Sequence, residues 1–237
     1  MTANTATIGY DRLISALTEQ TGHLARALRD ADPATGVPTC PEWTLADLDR
    51  HVEGNLNSLA LAAGGTPGRG LGEAAARCAA AFAGRHPEDD IEQFGLTWTA
   101  REWLRRAVAD LVVHRADAAT ALGTGYDVDD DLAADAVDEL LELLARPEMK
   151  GARPELAALV GTGETIHLHA TDTGGEWLIE LTPEGFEWNR AHAKATVAAR
   201  GRLADLMQVM LRRRPLEAVE VLGEAAVLEG WLSRSAF

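Results

Sequence analysis

The chain has 237 residues, 46% of them hydrophobic and 25% charged, with a formal net charge of −15. These proportions suit a folded protein with a real core, and the acidity argues against a broad surface for nucleic acid or anionic lipid. No run of about 18 apolar residues predicts a membrane span, the N-terminus lacks a secretory pattern, and two cysteines, Cys40 and Cys78, are too few for a disulfide framework, so a cytoplasmic protein is expected.

Apolar residues recur at helical spacing from about Tyr10 to Asp30, through Leu13, Leu17, Leu24 and Leu28. Asp32-Pro33 and Gly36-Val37-Pro38 end that pattern. Thr44 is a good N-cap and Asp47 stands where a capping box needs an acid. The second predicted helix carries Leu45, Leu48, Val52, Leu56 and Leu59 on one side, and Gly64-Gly65 stops it. An Ala-rich third helix spans about Leu71 to Ala83, followed by a loop through His86-Pro87. The fourth runs from about Thr99 to Leu122, ended by Gly123 and Gly125, and the fifth from about Asp130 to Leu144. Connections of this length suit a bundle. The acidic patches at 88–92 and 127–135 read as solvated loops.

The period changes near residue 150. Thr165 to Ala170 and Trp177 to Leu181 alternate like strands around the turn Asp172-Thr173-Gly174-Gly175. Phe186–Asn189 and Ala195–Ala199 read as further strands. Leu203, Leu206, Met207, Met210 and Leu211 return to helical spacing, and an apolar stretch at Val219–Leu222 precedes a last helix over Ala225–Leu232. The expected architecture is a mainly α, four-helix-type bundle over residues 1–150 and a small α+β domain over 151–237.

On the fourth helix, Trp103, Ala107, Leu111, Ala118 and Leu122 share an apolar arc at 100° per residue. His114 falls inside that arc and Asp110 at its border, one turn earlier, where i, i+4 spacing lets both reach one ion. His51 borders the apolar face of the second helix, with Asn55 one turn on. Two imidazoles and a carboxylate with an open position are a common catalytic zinc arrangement. The plainer alternative is an intrahelical ion pair on a solvated face beside Arg115 and Asp117. His167 and His169 lie two apart on a predicted strand and so face one side, either lining a substrate pocket or belonging to a polar face.

Cys40-Pro41-Glu42-Trp43-Thr44, with Ala46-Asp47-Leu48 and His51, resembles the segment opening the second helix in the mycothiol-dependent maleylpyruvate isomerase family. Trp103-Leu104-Arg105-Arg106, then Val113-His114-Arg115 and Asp117-Ala118, resembles that family's metal-binding helix. His167 to Asp172, and Leu216 to Leu228, look like its C-terminal domain. The resemblance implies a DinB-like metal-binding bundle followed by a domain similar to sterol carrier proteins. It implies a divalent metal, zinc first, on His51, Asp110 and His114, although the family usually has Glu where this chain has Asp110, and Ala109 replaces a common His. It implies mycothiol as cosubstrate and an active-site arginine, for which Arg213, between Arg212 and Arg214, is the best match.

The chemistry so implied is addition of a metal-bound thiolate to a conjugated double bond, rotation about the resulting single bond, and elimination, with Arg213 on a carboxylate or developing enolate. Permanent transfer of the thiol to a small electrophile is the other outcome of the same site. Two further readings stand beside it: a non-catalytic binding or regulatory protein on the same bundle, and a thiol-independent hydrolase or lyase using metal-bound water. Trp43, Trp98 and Trp103 are expected in the core or the pocket wall, and a monomer is expected.

Overall fold

The helices arise where apolar spacing places them, in a computed structural model that describes residues 8–235. α1 (Tyr10–Leu28) buries Leu13, Leu17 and Leu24. α2 (Leu45–Ala62) begins at the Thr44 cap, where the side chains of Thr44 and Asp47 each hold the other's backbone N–H. α3 (Gly70–Ala83) buries Leu71, Cys78 and Phe82. α4 (Ala100–Leu122) has the same reciprocal cap from Thr99 and Glu102 and ends at Gly123, whose φ of 63° is the left-handed position that favours glycine. Each such cap is worth about 1 kcal/mol. α1 packs on α3 and α4, and α2 on α3 and α4, so the four close around one apolar core within the unit Ile8–Asp127.

The expected loop after α3 contains a hairpin instead, β1 (Asp90–Gln93) and β2 (Leu96–Thr99). Phe94 and Gly95, with φ of 54° and 75°, make its two-residue turn. Ile91 and Trp98 are buried, and the Trp103 indole donates to the Ile91 carbonyl at 3.0 Å. The acidic run at 88–92 is thus partly strand, because the carboxylates point away while one apolar side chain anchors it.

The second unit, described here over 128–235, begins with α5 (Asp130–Ala145). Contacts divide the chain at Asp127, ahead of the change in sequence period near 150, because α5 packs on α7 (Leu203–Met210) and on β5 (Gly185–Asn189). Asp135 and Glu139 are buried on α5, so the second acidic patch is not wholly a solvated loop. A short helix, α6 (Pro147–Ala152), leads into the sheet. Its strands are β3 (Thr165–Ala170), β4 (Glu176–Thr182), β5, β6 (Val197–Gly201) and β7 (Glu220–Gly223), in the order β5-β4-β3-β6-β7. β3 runs parallel to β6, and every other neighbouring pair is antiparallel.

Ile166, Leu168, Ala170, Trp177, Ile179, Val197 and Ala199 occupy one sheet face and are all buried. α7 covers strands β3 and β6 with Leu203, Leu206, Met207 and Met210. α8 (Ala225–Arg234) contributes Leu228 and Trp231, the latter edge-on to Phe186. Asp138 of α5 accepts from the Trp177 indole at 2.7 Å and pairs with Arg190 at 2.6 Å, and Arg190 lies over the Trp177 ring. Asp172 accepts from the Leu203 N–H at the start of α7, so it serves the fold. No helix among the described residues is long and apolar enough to cross a membrane.

Candidate metal centre

α2 and α4 bring His51, Asp110 and His114 together, each offering one donor atom within 4.8 Å of the others. The alternative of a solvated ion pair does not hold: His114 is 6% exposed and Asp117 is fully buried. Asp117 Oδ2 lies 2.9 Å from His114 Nδ1. An ionised carboxylate can only accept there, so Nδ1 carries a proton, and in the neutral imidazole Nε2 presents its lone pair. That Nε2 faces Asp110 Oδ2 at 3.7 Å. Asp117 is itself held by Thr39, whose hydroxyl donates to Oδ1 at 2.6 Å, with the Cys40 thiol 3.9 Å from Oδ2. A carboxylate on one imidazole nitrogen, with the other nitrogen turned toward further donors, is the support that metal-bound histidines commonly have.

The remaining neighbours act on the other two donors. Asn55 Nδ2 sits 3.0 Å from His51 Nε2 and donates to Asp110 Oδ2 at 3.3 Å, which marks the space between the donors as one that a positively polarised group suits. Arg106 donates to the other oxygen of Asp110 at 3.3 Å. The Trp43 indole tilts over His51, ring centroids 4.7 Å apart, and stacks near His114 at 5.9 Å, walling one side.

Burial holds His51 below the usual histidine range, aided by the nearby charge of His114 and opposed by Asp110. Burial pushes the Asp110 carboxyl up, but His114, Arg106, His51 and the Asn55 amide together bring it below the ordinary value. A neutral imidazole and an ionised carboxylate are the forms that ligate a cation. The donor set therefore fits a borderline divalent ion such as zinc.

Two sequence models match the chain: the mycothiol maleylpyruvate isomerase N-terminal domain over residues 14–70 and the corresponding C-terminal domain over 131–230. The chain belongs to the mycothiol-dependent maleylpyruvate isomerase family. Among solved structures, a His→Ala mutant of a mycothiol-dependent maleylpyruvate isomerase aligns with a TM-score of 0.60 at 16% identity, covering 92% of this chain and 95% of that one. A second structure of a mycothiol-dependent maleylpyruvate isomerase gives 0.58 over the same shares, also at 16% identity. At that identity they establish a shared fold. No curated protein matches this chain.

The structure brings the three expected donor residues together, with Asn55, expected one turn from His51, and Trp43, expected in the core or pocket wall, beside them. Asp117 was the legible omission, since i, i+3 spacing places it on the His114 side of α4. Trp43, Thr39 and Asn55 come into range only through the packing of α2 and its entry loop against α4. The other expected site residues lie in the sheet unit. Arg213 is half-buried after α7 and donates to the Leu211 carbonyl at 2.9 Å. Arg212 and Arg214 are exposed, and Arg214 pairs with Asp205. His167 and His169 share one sheet face, as their spacing requires, but His167 is buried and both meet Glu176.

Proposed function

We propose that this protein is a metal-dependent enzyme that uses a low-molecular-weight thiol, mycothiol, to isomerise or conjugate a small electrophile of the maleylpyruvate type. The observation that carries this reading is the part-buried His51–Asp110–His114 cluster, with Asp117 holding His114 Nδ1 so that Nε2 faces Asp110. Family membership supports the thiol and the substrate class of this reading. A divalent cation bound there favours thiolate over thiol at neutral pH.

The chain's own residues prepare that site. Asp117 and Thr39 hold the His114 ring, and Asn55 and Arg106 orient the Asp110 carboxylate. Trp43 excludes water from one side of both imidazoles, which strengthens electrostatic interactions within. The shorter Asp110 side chain, in place of glutamate, sets the carboxylate closer to the helix, where Arg106 and Asn55 reach it. Arg213 takes the carboxylate-binding role in this proposal, because a guanidinium matches carboxylate geometry with two parallel donors.

The test is turnover of maleylpyruvate by the purified protein with mycothiol, without it, and after chelation. The reading expects turnover only with both thiol and metal. It expects Arg213→Lys to raise KM more than it lowers kcat. Equal turnover without thiol would replace it with a hydrolase or lyase reading.

A further inference from the structure

A second group of donors stands in the sheet unit. His167 and His169 of β3 project from the face opposite the apolar core, and Glu176 is the register partner of His169 on β4. His192, in the segment 190–196 between β5 and β6, reaches back over the same face. The four side chains each offer a donor atom within 4.8 Å of the others.

The hydrogen bonds within the group do not satisfy it. Glu176 Oε1 lies 2.7 Å from His169 Nδ1 and 2.8 Å from His192 Nδ1. Both imidazoles thus converge on one oxygen. His167 Nε2 is 3.9 Å from the other oxygen, Oε2, and has no hydrogen-bond partner, although the His167 side chain is only 7% exposed. A buried ring nitrogen aimed at a carboxylate and left unpartnered carries its desolvation cost with nothing in return. Arg200, the parallel register partner of His169 on β6, pairs with Glu220 at 3.2 Å.

A cation resolves this arrangement. Donors around a tetrahedral zinc ion stand about 3.3 Å apart, given zinc–nitrogen distances of about 2.0–2.1 Å. One donor atom from each of the four residues lies within 4.8 Å of the others, close enough for small side-chain shifts to bring them to that spacing. Three imidazoles and one carboxylate disfavour magnesium and calcium, which take oxygen donors, and suit zinc or a neighbouring transition metal.

We propose that His167, His169, Glu176 and His192 form a second divalent transition-metal site, structural in kind, that ties the segment 190–196 to strands β3 and β4. Four protein donors complete a tetrahedral shell, so no position stays open for substrate. The two imidazoles expected to line a substrate pocket are on this reading metal ligands. The site stands independently of the helical cluster and of the proposed activity.

The experiment measures zinc uptake by the full chain, stripped and then dialysed against ZnCl2, in wild type, His192→Ala, Glu176→Gln, His51→Ala and the His51→Ala/His192→Ala double variant. His192 has a side chain that is 77% exposed, so its removal does not threaten folding. Two equivalents are expected in wild type, one in each single variant and none in the double variant. Zinc should also protect the 190–196 segment from proteolysis in His51→Ala but not in the double variant. The His192→Ala loss of affinity should exceed the roughly 10–100-fold that loss of an outer-shell partner brings. One equivalent in wild type, lost in His192→Ala and kept in His51→Ala, would support this site while removing the helical one. Uptake and protection unchanged by both His192→Ala and Glu176→Gln would overturn the sheet site.

Discussion

The two histidine clusters differ in how they are built. The helical one has three donors, His51, Asp110 and His114: Arg106 and Asn55 hold Asp110 and Asp117 holds His114, while Asn55 Nδ2 stands at the His51 Nε2 that a metal would take. The sheet cluster has four donors that bond chiefly to one another, with one of them, His192, on an exposed segment. Outer bracing with an incomplete donor shell is how a site keeps a geometry ready for a reactant. A complete shell without bracing is how a site holds chain segments together. On the two proposals above, the bundle cluster carries the chemistry and the sheet cluster the stabilisation.

The largest expected effect falls on the bundle's donors. His114→Ala should abolish metal at the helical site and thiol-dependent turnover with it, while leaving zinc at the sheet cluster. Asp110→Glu, which restores the carboxylate usual in the family, should keep both. Retained metal and turnover in His114→Ala would erase the distinction between the clusters.

Asp117→Asn sharpens it. The asparagine keeps the shape but loses the charge that fixes the His114 tautomer, and metal affinity at the helical site should fall by about 10–100-fold, measured by competition with a chromophoric chelator. Sheet-site affinity should not move. An unchanged helical affinity would mean that Asp117 serves packing alone.

The bundle should also be the alkali-sensitive unit. Burial raises the Tyr10 hydroxyl and the Cys78 thiol each to about 12. Asp89 adds to the Tyr10 shift and Arg101 opposes it. Both groups are neutral when protonated, and the folded state holds those protons more tightly than the unfolded chain. Their stabilising contribution is full below the ordinary thiol and phenol values and is lost as pH rises through about 9 to 12. Helical circular dichroism should therefore show a melting temperature that declines over that range, less so in Cys78→Ala once its own packing loss is subtracted. The smallest effect is at the helix caps: Thr99→Ala should cost about 1 kcal/mol by denaturant melting, with metal uptake unchanged.

The same contrast governs what the sequence reveals. The helices were legible because one apolar stripe repeats at 3.6 residues over 16 to 23 residues in α1, α2, α4 and α5. The helical donors were legible because Asp110 and His114 sit one turn apart on a single element, with a third candidate bordering another apolar face. One alternative puts Asp117 beside a solvated face; it is buried instead, through Thr39 and the entry loop of α2, which no spacing on α4 reveals. Glu176 and His192 escaped notice because sheet register and the return of a loop bring them to β3. The hairpin β1–β2 was hidden by acidic residues around one buried isoleucine, and its turn uses Phe94 where asparagine or aspartate is the usual signal.

The most direct measurement is anomalous scattering at the zinc edge from crystals of the zinc-loaded full chain. The account predicts a peak bonded to His51 Nε2, an Asp110 oxygen and His114 Nε2, with Asp117 still on His114 Nδ1. A zinc-replete crystal with no density between those three donors would contradict it.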